Sequence, residues 1–515
     1  DIEVESTLYL ENNSGKTGME KFDVKNETFT LKNIFLGRFP IMIHSDLCIL
    51  KNMDKTLRYN LGECKNDPGG YFIIDGKEKV IVSQESRADN MLYVTDKGND
   101  IYTYSAEIRS VSEDTSKPTR TLAVKIVAPT PTKKNGNIVV NIPNVRMPIP
   151  LFIVMRALGV ISDKEIIETC ILSIDNGGDY LESFRPSVHD ASVIYTQHVA
   201  LKYIATFTKG KTIKHVLEIL TTYFLPHIGE NNFKTKSLYL GYIVKTLLDV
   251  VLGKTRVTDR DSYKCKRLET SGLLINKLFR EYYTLQLNDY FLKMDKEYNF
   301  HKNSYQEDKF VNLIKNNQNI LFENRVIETG FKKAFKGNWG ATPHTKKIGA
   351  LQDLNRLSFF SFICQLRKTN IPMSADSAKI IPPRYLHSTQ WGLLCPLHSP
   401  DGGNVGLHNH MSVLANITSG ESSKKYIHYL RLLGVKLLEE CKHKYLFETT
   451  KVFINGMWLG NTDTPIELVK IFKLHRRNNI VNIYTSIHFN IKQNEILIWT
   501  DGGRLIRPLF YIENG

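Results

Sequence analysis

The chain has 515 residues, with 68 Lys and Arg against 53 Asp and Glu and a net charge of +15 at pH 7. That length exceeds what one hydrophobic core serves efficiently, so several domains are expected, and the positive excess points toward a polyanionic partner while leaving diffuse surface solvation open. The most apolar stretch, Ile149 to Ile161, is interrupted by Pro150 and Arg156 and falls short of the ~20 residues that span a bilayer, while seven cysteines without a CxxC pair argue against a disulfide framework and for a reducing compartment.

The first ninety residues read as β-rich, with a hairpin where Asp75 and Gly76 separate FII from KVIV, because that dipeptide tolerates a positive φ. From about Met91 to Thr258 strands give way to helices. TLAVKIVAP (121–129) alternates, whereas Leu238 to Val251 puts Tyr239, Ile243, Thr246 and Val250 on one helical face ahead of Gly253. Leu273 to Tyr298 predicts a long amphipathic helix whose core stripe is Leu274, Leu278, Tyr282 and Leu285. After about Ser419 the pattern is β-rich again, as a separate small domain, with Asn455 and Gly456 between VFI and MWL and an alternating IHFNIKQNEILIW. The fold class is therefore α+β and multidomain. No internal repeat shows, and KSLYLGYIVKTLL (236–248) lacks the phosphate-loop pattern.

Three segments carry candidate chemistry. FKKAFKGNWGATPHTKK, Phe331 to Lys347, brackets a Gly-Asn-Trp-Gly turn with Lys332, Lys333, Lys336, Lys346 and Lys347. Glycines let backbone approach a ligand closely, and lysines offer mobile cations to phosphates without base specificity; for any single lysine a solvated charge run is the simpler explanation. DSAKIIPPR, Asp376 to Arg384, uses paired prolines to fix φ and present Lys379 and Arg384 as a rigid prong. Cys395, His398, His408 and His410 open on a CxxH spacing, but His-x-His is too tight for the usual structural zinc site, so a coincidence of spelling is the simpler reading. Thr258 to Arg267 mixes Arg260, Lys264, Lys266 and Arg267 with Asp259 and Asp261, which reads as a structural salt-bridge network. The sequence contains no Asp-x-Asp-x-Asp cluster of the kind that holds magnesium for nucleotidyl transfer. A stand-alone basic nucleic-acid-binding protein and a structural virion component both remain open on these grounds.

The segment Leu366 to Thr418, LRKTNIPMSADSAKIIPPRYLHSTQWGLLCPLHSPDGGNVGLHNHMSVLANIT, resembles the fork region in the second-largest subunit of multisubunit DNA-dependent RNA polymerases, which usually reads LRR-x-N-x-P, then R-x-LH-x-T-x-WG-x-x-CP-x-ETPEG. The resemblance continues in the family's order through GGYFIIDGKEKVIVSQE (69–85), PIPLFIVMRALGVISDKEI (148–166), TDRDSYKCKRLETSG (258–272), KGNWG (336–340), VFINGMWLGNT (452–462), KLHRRNNIVNIYTSI (473–487) and TDGGRLIRPLF (500–510). It implies a protrusion over 1–91 and 263–327, a lobe over 92–262, a fork over 328–419 and an external domain over 420–515.

The function it implies is that of a polymerase component forming one wall of the active-centre cleft and guiding DNA and the RNA–DNA hybrid. Gly340 to Lys346 would be the first fork loop, near the upstream hybrid, and Asp376 to Arg384 the second, where downstream duplex opens. Nucleic-acid contacts are expected from Lys336, Lys346, Lys347, Arg367, Lys368, Lys379, Arg384 and His387, and proximity to the active centre for His398 and Asp401. The second loop is a residue longer than the eukaryotic pattern. Where the family has ETPEG this chain has His398, Ser399, Pro400, Asp401 and Gly402, so a fixed negative charge is replaced by a group that titrates near neutrality; His398→Glu is expected to alter elongation rate or pausing. No catalytic residue is expected here: Mg2+ belongs to the largest subunit, and zinc to a C-terminal part beyond this chain. Implied partners are the largest subunit, the C-terminal half of the second-largest subunit, smaller subunits, template DNA, nontemplate DNA and RNA, with no membrane and an intracellular location, nuclear or cytoplasmic. The spelling DRDSY (259–263), in place of DRDH, looks like the subunits of large cytoplasmic DNA viruses, which would place transcription in a host cytoplasm and virion. Asp1 without an initiator Met and the abrupt stop at Gly515 read as the ends of a piece, about half a subunit.

Overall fold

In the computed structural model Asp75 and Gly76 take φ of 48° and 75°, so Phe72–Ile74 folds back on Lys77–Ile81 with Ile74 opposite Lys77. Asn455 and Gly456 do the same at 46° and 82°, joining Thr450–Ile454 to Met457–Thr462. Both turns match the right-handed twist of the strands they connect. Residues 2–11, 22–98, 101–114, 116–129, 136–175, 177–301, 310–373, 379–510 and 512 are described. They fall into two units: 1–86, 268–386 and 391–415 form the first, and 87–267, 387–390 and 416–515 the second.

In the first unit, Ile2–Glu11 pairs antiparallel with Phe22–Leu31. The β-rich reading of the first ninety residues holds at both ends of that stretch but not between: residues 32–71 contain no strand, only the short helices Ile49–Asn52 and Lys55–Asn60. Their sequence, full of Asn, Asp, Lys and Gly, offers no alternating apolar pattern for a sheet to bury. The predicted long helix is present as Ser271–Phe300. Its buried positions are Leu274, Leu278, Tyr282 and Gln286; Leu285 is exposed, contrary to expectation. The stripe keeps a spacing of four, and Gln286 is admitted because both ends of its amide are satisfied, by the Asn324 carbonyl at 2.8 Å and the Val326 N–H at 2.9 Å. The Val326–Ala334 helix lies against it, and Gly330 gives the ring of Tyr282 room that a Cβ would fill at 2.4 Å. Lys368–Asn370 runs parallel to Ser83–Arg87 and antiparallel to His408–His410. The second candidate loop and the His398 segment are strung between its strands Lys368–Asn370 and His408–His410.

In the second unit, the strands Leu92–Asp96, Tyr102–Ser110, Arg120–Val127, Ile138–Asn141 and Ile149–Pro150 form an antiparallel sheet in that order, and a set of helices packs with it around one apolar core. Among them Phe233–Val251 buries Tyr239, Ile243 and Val250 as predicted, while Thr246 is only half-buried and Leu247 completes the face. Arg156, the charge that interrupts the apolar run, is buried and donates to the Ala191 carbonyl at 2.8 Å, with Asp163 as its ion-pair partner. No described helix is long and apolar enough to cross a membrane. The 420–515 segment is more than β-rich: helices Lys424–Leu432, His443–Glu448 and Pro465–Arg477 accompany a five-stranded sheet in which Thr450–Ile454 pairs parallel with Glu495–Trp499. One face of this sheet has its own core around Val452, Phe472 and Ile496, whereas Phe453 and Trp458 join the core of Tyr239 and Val244.

One buried ring makes this unit acid-sensitive. His227 Nδ1 lies 2.7 Å from the Ser110 hydroxyl, its Nε2 is shut off from solvent without a hydrogen-bond partner, and burial pulls its pKa down to about 3. The folded chain thus keeps this ring neutral where the unfolded chain takes up a proton below about pH 6.5, so stability is present above that pH and is lost as pH falls toward 3. At about 1.4 kcal/mol per pH unit the loss is at most about 5 kcal/mol. Thermal unfolding of the wild type between pH 7 and 3 should fall more steeply than that of His227→Phe; parallel slopes would remove His227 as the cause.

Candidate nucleic-acid interface

The basic element begins at the end of the Val326–Ala334 helix, where Lys332 and Lys333 are exposed and Lys332 is paired with Glu328 at 3.0 Å. Lys336 follows on the exposed turn. Trp339, buried, forms an antiparallel bridge with Lys347, whose N–H donates to the Trp339 carbonyl at 3.0 Å. Gly340 makes the loop possible: its φ is 106°, and a Cβ there would sit 2.6 Å from the Thr345 carbonyl oxygen and 2.8 Å from Lys346 Cα. Glu281 on the long helix anchors the far side, accepting from the Ala341 N–H at 3.0 Å and the Thr345 hydroxyl at 2.8 Å. The result is a tied-down loop with Lys336 and Lys346 exposed at its surface.

Lys347 behaves differently from its neighbours. It pairs with buried Glu269, which also holds Lys277 at 2.6 Å, and these two cations overcome burial to keep the Glu269 carboxyl below its usual range. Its charge is therefore spent inside the protein rather than offered to a ligand. The sequence expected a mobile cation at this position, and nothing local marks Glu269, 78 residues away, as the partner.

Two cations flanking or within the second loop segment, Arg367 and Arg384, share this fate. Arg367, at the end of the Phe359–Leu366 helix, directs Nη2 at the carbonyls of Ser412 (2.6 Å) and Ala415 (3.1 Å). Arg384, at the end of the Pro382–Arg384 turn, donates from Nη1 to Gly403 (2.6 Å) and Val405 (3.0 Å). Each guanidinium closes a loop by binding backbone oxygens. Lys379 is exposed; Asp376, Ser377 and Ala378, where the loop was expected to begin, lie outside the described residues. Lys368 is half-buried on its strand, and burial lowers its pKa.

Lys368 shares a cleft of about 380 Å³ with His398 and His410. The two imidazoles stack face to face, centroids 3.5 Å apart and planes 3° from parallel. His410 Nδ1 is 3.2 Å from the Cys364 carbonyl, which can only accept, so this nitrogen carries the hydrogen. Burial, then the neighbouring His398, pull the His410 pKa down to about 4. Parallel rings point their in-plane lone pairs along separate planes and cannot aim both at one ion. Cys395 meets His410 through its backbone, N–H to carbonyl at 2.9 Å. Among the described residues no group of three or more His, Cys, Asp or Glu could hold a metal ion. Asp401 is exposed and precedes the short Gly402–Asn404 turn.

His387 belongs to the second unit, where Nε2 lies 2.7 Å from Asp259 and Nδ1 2.7 Å from the Thr389 hydroxyl. Asp259 is held below its usual range, with His387 among the causes that outweigh partial burial. The Thr258 to Arg267 segment is structural as read, but its partners lie elsewhere in the chain: Arg267 reaches Asp501 at 2.6 Å and Arg260 lies 3.8 Å from Glu107. Asp501 also pairs with Arg504 at 3.1 Å. Sequence reasoning did not single out Asp501, Glu269 or Glu281, and the only signal was an isolated carboxylate in an otherwise basic neighbourhood.

The RNA polymerase beta subunit family model matches residues 4–320, and models for RNA polymerase Rpb2 domains 3 and 4 match residues 352–417 and 452–513. The chain is 37% identical over 490 residues to the DNA-directed RNA polymerase II subunit RPB2 of Encephalitozoon cuniculi, covering 93% of this chain and 41% of that protein. It is 36% identical over 504 residues to DNA-directed RNA polymerase II subunit 2 of Arabidopsis thaliana, covering 95% and 41%. To the DNA-directed RNA polymerase III subunit RPC2 of Saccharomyces cerevisiae it is 30% identical over 499 residues, covering 94% and 41%. The chain thus spans about two fifths of the length of these relatives.

Proposed function

Because this chain belongs to the RNA polymerase beta subunit family, we propose that it is a component of a DNA-directed RNA polymerase and lines one wall of its active-centre cleft, guiding template DNA, nontemplate DNA and the RNA–DNA hybrid. The observation that carries this reading is the presentation of Lys336 and Lys346 on a loop fixed by Gly340, Trp339 and Glu281. Exposed lysines on a fixed backbone bind phosphates of any sequence and hold their register, which is what a processive enzyme needs. Lys379 adds a third exposed cation, and Lys368 a half-buried one. Arg367, Arg384 and Lys347 serve this interface as braces that hold the loops in place. His387 acts through Asp259 in the second unit.

In this reading the chain supplies a protrusion (1–91 and 263–327), a lobe (92–262), a fork (328–419) and an external domain (420–515). It works inside the cell, in nucleus or cytoplasm. The magnesium-binding carboxylates come from the largest subunit, zinc from the C-terminal half of the second-largest, and smaller subunits complete the assembly. Nothing in this chain catalyses nucleotidyl transfer alone; His398 and Asp401 stand near the centre where it happens.

The test is a combined Lys336→Gln, Lys346→Gln, Lys379→Gln variant purified from its own source. Co-purification of a polypeptide with an Asp-x-Asp-x-Asp motif should be unchanged, while transcription at about 0.15 M salt falls roughly tenfold and the log–log salt slope of template binding drops by about 2 to 3. Full transcription by the variant, or purification of the chain alone, would defeat the proposal and favour a stand-alone binding or structural role.

A further inference from the structure

The cleft between the Phe359–Leu366 helix and the His408–His410 strand has a chemical character of its own. Its polar lining includes Lys368, His398, His410, Asn355, Gln352 and Gln365, and no carboxylate. Lys368 has no ion-pair or hydrogen-bond partner among the described residues, although its side chain is half-buried. This contrasts with Lys79, Lys277, Lys332 and Lys347 in the same unit, each of which faces an acid. A partly desolvated ammonium without a counter-ion is costly unless an anion comes to it.

The remaining polar groups divide by what they have left to give. Gln352 donates to the Gly349 carbonyl at 3.1 Å, and Gln365 is used at both ends, by the Asp353 carbonyl and the Asn355 N–H. Asn355 has its oxygen taken by the Leu357 N–H at 2.9 Å, which leaves its amide hydrogens for a ligand. His410 is neutral, its Nδ1 hydrogen committed to Cys364, and His398 covers it as an exposed ring. The groups facing Lys368 from the adjoining elements are Cys364 on the helix, His408 and His410 on the paired strand, and His398 on the loop. None of these is a carboxylate.

We infer that this cleft is a binding site for a phosphate-class anion, held by the Lys368 ammonium, the Asn355 amide and the His398 ring. The volume, about 380 Å³, suits a pyrophosphate or one or two linked nucleotide phosphates. The site stands on its own geometry and does not depend on the polymerase reading. Its anion is either free in solution or part of a nucleic-acid strand, and the two are separable by experiment.

The 515-residue chain is titrated with inorganic pyrophosphate by calorimetry, with 1H–15N spectra of the imidazoles as a second readout. Saturable one-site binding that shifts the His398 and His410 signals is expected. Lys368→Gln should weaken it at least tenfold, His398→Glu should abolish it, and Lys368→Arg should restore most of it. Lys492→Gln, on a turn of the second unit, should change nothing. A short oligonucleotide that competes with pyrophosphate and loses affinity in Lys368→Gln assigns the anion to a strand; pyrophosphate binding without such competition assigns it to a free anion. No saturable binding by either probe in a chain whose thermal unfolding is normal, or binding that Lys368→Gln leaves intact, overturns the site.

Discussion

Gly340→Val should unfold the first loop and abolish its proposed contribution to nucleic-acid binding while leaving the rest of the first unit folded. Two costs add. The backbone φ of 106° is one that a β-branched residue hardly adopts, and the new side chain would be built 2.6 Å from the Thr345 carbonyl oxygen and 2.8 Å from Lys346 Cα. Neither atom belongs to a flexible side chain that could move aside, so the loop must open. Together these cost about 3 kcal/mol or more, the same order as what the bridge between Trp339 and Lys347 and the two Glu281 bonds supply to this loop. Gly337 is the control: its φ is 110° but nothing lies within 4 Å of its Cβ, so Gly337→Ala carries the backbone strain alone, about 1 kcal/mol. Amide exchange at Lys347, whose N–H is bonded to Trp339, reports the outcome. Equal protection in both variants would show that the close approach at Gly340 does not hold the loop.

Asp501→Ala should destabilise the second unit by about 3 kcal/mol. Arg267 and Arg504 are both about 8% exposed, and they share the Asp501 carboxylate at 2.6 and 3.1 Å. Burial already draws the Arg504 pKa down to about 10, with Asp501 opposing that shift. Removing the shared acid leaves two buried cations to repel each other, and breaking such a pair from one side costs about 3–5 kcal/mol. The lower figure applies because Asp501 itself is a third exposed. Asp501→Asn keeps hydrogen-bond acceptance and should lose less. Chemical denaturation of the three proteins tests the order; a variant with alanine as stable as the wild type would show that the two arginines are sufficiently served by the backbone carbonyls around them.

The sequence exposes features whose cause is local and hides those whose cause is distant. Asp75–Gly76 and Asn455–Gly456 are readable as hairpins because a two-residue turn needs positive φ at both positions, whatever surrounds it. The Ser271–Phe300 helix is readable from its spacing, yet the choice of Gln286 over Leu285 depends on Asn324 and Val326, 38 and 40 residues onward. The candidate site divides in the same way. Its positive charge is visible in the residue types, and Lys336, Lys346 and Lys379 are exposed as a charge run should be. What the sequence does not reveal is that Lys347 is neutralised by Glu269, or that Arg367 and Arg384 are turned inward to carbonyl oxygens, because those partners are chosen by the fold. Histidine spacing likewise invited a metal, while the stacked geometry of His398 and His410 excludes a shared one.

Tyr239 donates to the carbonyl of Gly456, a partner 217 residues away, and Tyr242 packs on Phe453 and Trp458 beside it. On the ribosome those partners do not yet exist when the Phe233–Val251 helix emerges. At about 5–20 residues per second the nascent chain waits roughly 10–40 seconds for them. During that interval two tyrosines and their apolar neighbours form an uncovered surface on an otherwise buildable core. A trailing segment that arrives late, or is supplied as a separate fragment, would compete with any chaperone that has covered the gap, so the yield of folded protein should depend on the speed of translation between these two points.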